Sequence, residues 1–100
     1  MFDKEKYLTR GIAETVPFEV QFLLWGMIED ARKQTALDYL QIFRLKIETV
    51  NNVLNQQILH KQEQPPYSAS LTFPCTSPIT DKIYVIDDGD YSTMLFASER

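Results

Sequence analysis

Only one stretch of this chain repeats its apolar residues at helical spacing, and it does so on two sides. Between Pro17 and about Gln34, Val20, Leu23, Leu24, Met27, Ile28 and Ala31 share one broad face at about 100° per residue. Phe18, Phe22 and Trp25 fall elsewhere, as a second stripe at i, i+4 and i+7 among Gln21, Glu29 and Arg32. A helix lying on one sheet needs only the first face. The chain must therefore supply a sheet for one side, and something further must meet the other. Pro17 has the backbone angle of a first helical turn, and Glu19 places negative charge at the positive end of the dipole. Thr15 is the candidate cap, and Gln34-Thr35 ends the periodicity.

The remaining segments read as strands. "YLTRGI" (7–12) is expected to be a short strand ahead of the helix. "DYLQIFRLKI" (38–47) is rich in aromatic and β-branched residues and alternates at its end, with Leu45 and Ile47 inward and Arg44 and Lys46 outward. A turn around Asn51-Asn52 leads to "QQILHKQ" (56–62). "QPPYS" (64–68) interrupts it, because two prolines cannot join a ladder, and "ASLTF" (69–73) reads as a short edge strand. The loop "PCTSPITD" (74–81) precedes two apolar runs. These signals predict an α+β fold within a single domain, 1–100: one long helix packed on a mainly antiparallel β-sheet of about five strands, ending in a β-hairpin.

That hairpin contains Asp87-Asp88-Gly89-Asp90. Asp-Gly between apolar runs is a strong hairpin signal, since a type I′ turn needs positive φ at both central residues. Asp88 and Gly89 are expected to be those residues, joining strands 82–87 and 90–97. The turn does not require Asp87 or Asp90, and like charges facing each other disfavour strand pairing. A hard cation bridging Asp87 and Asp90 is the chemical alternative to a solvated turn. The register of a calcium loop is missing, however, and no His or Cys lies within the stretch, so no metal is expected.

Few other residues could carry chemistry. His60 is the only histidine and could serve as a general base. As a strand residue it would share a face with Ile58 and Gln62. Cys75 is the only cysteine, so neither an internal disulfide nor a multi-cysteine zinc site is available. Nucleophilic use of its thiol would need a base brought beside it. Nucleophile elbows, phosphate loops, dinucleotide fingerprints and zinc-protease motifs are all missing, so no cofactor is expected and the balance leans away from an enzyme.

The net charge of −4 and the scattered lysines and arginines argue against a nucleic-acid binder, which concentrates positive charge. No apolar run reaches membrane-spanning length, and the first residues carry charge from Asp3 onward. With a single thiol, this places the chain in the cytoplasm.

The order of "YLTRGIAETVPFEVQFLLWGMIED", "DYLQIFRL", "HKQEQPPY" and "KIYVIDDGDYSTML" resembles a family of small Gram-positive bacterial proteins, the domain of unknown function DUF960. The resemblance runs from Tyr7 to about Ala97. Thr9-Arg10-Gly11, Leu24-Trp25 and Ile86-Asp87-Asp88-Gly89 are its most specific elements, and 48–55 its weakest part. It implies a stand-alone cytoplasmic domain and brings no activity or catalytic residue with it. Two functions are therefore expected to compete. The first is a non-enzymatic binding or interaction module using Phe18, Phe22 and Trp25. The second is a small enzyme or ligand-binding protein using His60 with Asp87, Asp88 and Asp90. The aromatic stripe has two possible covers: the chain's own "QPPYSASLTF", or another molecule, a homodimer or a protein partner.

Overall fold

The computed structural model describes all residues 1–100. Fifteen residues form the principal helix, Phe18–Arg32 (α2). Pro17 stands at its N-cap with φ −56°, and Lys33 closes it. Glu19 in the first turn and Arg32 in the last both complement the helix dipole. The segment expected to be a strand at 7–12 is divided. Glu5–Leu8 form a strand (β1), and Arg10–Thr15 form a six-residue helix (α1). Thr9 caps α1, its side chain accepting the Ile12 N–H at 3.3 Å, whereas Thr15, the expected cap of the longer helix, ends α1, and α2 starts at Pro17 with no side-chain cap. The fold thus has two α-helices, neither of them long, and a single 3-10 turn at Ala97–Glu99.

Five more strands follow: Leu40–Val50 (β2), Val53–Gln62 (β3), Tyr67–Pro74 (β4), Asp81–Asp87 (β5) and Tyr91–Phe96 (β6). The sheet has six strands rather than about five, in the order β1-β6-β5-β2-β3-β4. Every pairing is antiparallel except β1 with β6, which runs parallel. The first strand therefore docks beside the last, and the sheet closes the chain on itself.

The turns follow residue chemistry, with one exchange. The tight type I′-like turn lies at Asn51-Asn52, where φ is 51° and 65° and Val50 pairs with Val53. In the C-terminal hairpin only Gly89 has positive φ, 98°. There the Asp88 N–H bonds Tyr91 O at 2.9 Å, making Gly89 and Asp90 the central residues. Asp88 is not one of them. Asp87 explains the difference: its side chain accepts the Gly89 N–H at 2.6 Å, shaping the turn from outside.

One face of the sheet carries the core. Phe43 sits beside both His60 and Ile83, Leu45 beside Ile58, Val85 beside Met94 and Ile83 beside Phe96. Val20, Leu24, Met27, Ile28 and Ala31 of α2 are buried with them, together with Ile12, Val16 and Phe2. Leu23, expected in this set, is only half-buried. No helix of the structure is long and apolar enough to cross a membrane.

Candidate functional site

His60 lies on β3 with its ring stacked on Phe43, centroids 4.3 Å apart, and edge-on to Tyr67. Only 1% of it is exposed. Its proton can be placed by following amide partners inward from two carbonyls. Gln62 faces Ala36 O and Pro65 O, each at 2.9 Å, and both are acceptors, so Gln62 presents its NH2 to them. Its oxygen then accepts from the Asp38 N–H at 3.1 Å and from Gln41 Nε2 at 2.7 Å. Gln41 Nε2 also donates to Asp38 O, which turns its oxygen toward His60 Nε2 at 2.6 Å. That oxygen can only accept, so His60 carries its proton on Nε2. Nδ1 is left buried and unpartnered. Burial pushes the ring down to about pKa 4, because a charged imidazolium is disfavoured out of solvent and Nδ1 faces no acceptor of the protein. His60 is a neutral structural donor.

The three carboxylates lie elsewhere. Asp87 is on β5 four residues beyond Ile83, two strands across from His60, about 16 Å away by strand geometry. Both its oxygens are occupied by backbone donors, Oδ1 by the Gly89 N–H and Oδ2 by the Phe2 N–H. Asp87 therefore fixes the turn and holds the buried Phe2 in place. Asp90 is 3.9 Å from Lys4, both exposed to solvent. Asp88 is exposed. No three His, Cys, Asp or Glu side chains come together in a geometry to hold a metal ion. Cys75, half-buried, follows β4 six residues past Ala69, the partner of His60, or about 20 Å along the strand. The structure does not bring His60, Cys75 and the turn together.

The aromatic stripe of α2 divides. Trp25 is half-buried, with the Lys6 ammonium 5.6 Å above its ring. Phe18 and Phe22 stay 72% and 68% exposed, ring centroids 6.4 Å apart. "QPPYSASLTF" does not cover them, being the β3–β4 turn and edge strand β4. Together with Leu23 and Glu19 they line an almost wholly apolar depression. One turn further on the same ridge comes Gly26, also exposed, with nothing within 4 Å of where a Cβ would stand. A helix-interior glycine costs about 1 kcal/mol relative to alanine, and here no neighbour within the chain requires it. Gly26 escapes a search for apolar stripes, although its i+8 spacing from Phe18 marks it.

The chain is thus an α+β fold with a six-stranded, mostly antiparallel sheet that leaves Phe18, Phe22 and Gly26 uncovered on α2. The chain belongs to DUF960, described as a staphylococcal protein of unknown function, whose family model matches residues 5–99. A solved structure described as a protein of unknown function from Enterococcus faecalis superposes with a TM-score of 0.71 at 21% identity, covering 98% of this chain and 92% of that one. At that identity the likeness establishes the fold. No curated protein matches the chain.

The elements that carry the family resemblance prove to be joints of the fold. Thr9 Oγ1 donates to Glu99 Oε1 at 2.8 Å, and the same oxygen accepts the Phe96 N–H at 2.7 Å. A Cβ on Gly11 would stand 2.7 Å from Glu99 Oε2, so the glycine makes room for this carboxylate. Asp87 joins the opposite end in the same manner.

Proposed function

We propose that the protein is a non-enzymatic, cytoplasmic interaction module that binds another protein along the Phe18–Phe22–Gly26 ridge of α2. The observation that carries this reading is the exposure of both phenylalanines on a helix whose opposite face already fills the core. By the usual area of a phenylalanine they leave roughly 250 Å² of aromatic surface in water, which favours a partner. Gly26 continues the ridge as a notch where a second backbone can approach closely. Glu19, between the two rings in sequence, has no cation beside it. The ridge suits an apolar helix with a basic residue opposite Glu19. The rival reading, a hydrolytic or ligand-binding site on His60 and the 87–90 turn, loses support from the burial of His60 and its distance from Asp87.

Affinity capture with wild type, with a Phe18→Ser/Phe22→Ser variant and with a Tyr39→Ser control tests the proposal. Tyr39 is also exposed, at 47%, but lies outside the helix. A specific protein should be held by wild type and control, then lost or weakened at least about tenfold by the ridge variant, the usual effect of removing central aromatic contacts. Equal retention on all three baits would overturn the proposal.

A further inference from the structure

The two edges of the sheet are treated differently. β1 is four residues long, begins with the charged pair Glu5-Lys6, and passes into α1 after Thr9 alone. β4 is eight residues long and pairs with β3 without a bulge from Gln62↔Tyr67 to Asn55↔Pro74. No strand lies on its other side. From Gln64 to Thr80 the chain contains no charged residue, though it carries a net −4 overall. Soluble proteins normally protect a long edge with charge, an internal proline, a bulge or a covering strand; β4 has no charge, bulge or covering strand, and its one proline, Pro74, stands at its last position.

Backbone registry shows what this edge offers. The two-residue turn at Asn51-Asn52 is closed by Val50↔Val53, so odd-numbered residues of β3 bond toward β2 and even-numbered ones toward β4. The Cys75 N–H to Leu54 O bond, 3.0 Å, fits the same alternation. The partners of the even residues are Tyr67, Ala69, Leu71 and Phe73. Ser68, Ser70 and Thr72 must then direct their N–H and C=O groups away from the sheet. Their side chains lie on the face opposite α2, while Tyr67, Ala69, Leu71 and Phe73 are half-buried on the core side.

We propose that β4 is a self-association edge, on which a second copy of this chain adds its own β4 antiparallel in a register centred on Ser70. In that register Ser70 pairs with Ser70 and Ser68 with Thr72, so every outward N–H of these residues meets an outward carbonyl. Ala69 lies beside Leu71 and Tyr67 beside Phe73, which carries the apolar floor of one sheet into the other. Pro66 and Pro74 fall opposite each other at the two ends and bound the ladder, because neither has an N–H to give. The pairing is two-fold, the commonest symmetry of self-association. The uncharged segment lets two copies of an acidic chain meet there without opposing like charges. The axis stands perpendicular to the sheet, so both α2 ridges face the same side of one continuous sheet and the dimer presents them as a pair. This assembly does not depend on what the ridge binds.

Sedimentation velocity from about 1 to 200 µM tests it, using wild type, Ser70→Lys, Ser70→Glu, an equimolar mixture of those two, and Phe18→Ser/Phe22→Ser. The Ser70 side chain lies on the uncovered face of an edge strand, so both substitutions leave the core intact, and circular dichroism confirms each fold. Wild type and the ridge variant should dimerise. Each charge variant alone should be monomeric because its like charges face across the axis, and the mixture should restore a dimer. A monomeric wild type, a dimer insensitive to both charges, or one dissolved by the ridge variant would overturn the proposal.

Discussion

Acid should weaken this protein through His60 by an amount the structure allows to be calculated. In the unfolded chain the imidazole titrates near 6.5, and in the fold near 4. Between these values the unfolded state holds the extra proton and the folded state does not. His60 therefore leaves stability intact above pH 6.5 and withdraws it as pH falls toward 4. Linkage places the loss at about 2 kcal/mol by pH 5 and about 3 kcal/mol by pH 4. For a domain with roughly 5–15 kcal/mol in hand, that is a large share. Carboxylates also titrate in this range, so the measurement is a difference: urea unfolding of wild type and His60→Phe from pH 7.5 to 4. The variant should be about 1–3 kcal/mol less stable at neutral pH, because Gln41 Oε1 loses its donor inside the fold. The gap should then close, and reverse, in acid. Direct NMR titration of the ring in the folded protein gives the same test without mutation. A midpoint at or above 6.5, or a gap between the two proteins constant with pH, would refute the burial argument.

Other perturbations separate the remaining joints. Gln62→Leu should cost several kcal/mol in urea melts, since it strips partners from Asp38 N–H, Gln41, Ala36 O and Pro65 O at once; a loss under about 1 kcal/mol would mean water replaces them. Gly89→Val should destabilise by more than about 1 kcal/mol, because a β-branched residue resists φ of 98°. Asp87→Ala should release the N-terminal residues, seen as faster proteolysis near Phe2 and a loss of about 1–2 kcal/mol; unchanged protection of Phe2 would leave the carboxylate without its structural role.

The sequence announced α2 because fifteen residues give several turns of periodicity and Pro17 marks the start. It hid α1, whose six residues hold only Ile12 as a buried anchor. The inward face of β3 was harder still. Gln56, Ile58, His60 and Gln62 read as half-polar, yet all are buried, because His60 and Gln62 both bond Gln41 on the neighbouring strand, Gln62 also reaches Ala36 O, and Gln56 bonds both N–H and C=O of Ile79. Such partners have no signature in local spacing. The same limit hid the parallel β1–β6 pair, whose members lie at opposite ends of the chain. On the ridge, spacing identified the second aromatic stripe. Only the three-dimensional arrangement separated Trp25, folded in under Lys6, from Phe18 and Phe22 and added Gly26 to them.

Gly26 offers the most direct measurement of the central claim, because here stability and recognition should move in opposite directions. Gly26→Arg introduces a strong helix former at an exposed position with open space around its Cβ, so thermal and urea melts should show a gain of up to about 1 kcal/mol. If a partner backbone approaches the ridge at that notch, the same variant should lose the protein captured by wild type while Tyr39→Ser retains it. A variant that is more stable and binds as wild type does would contradict the assignment of this ridge as the docking surface.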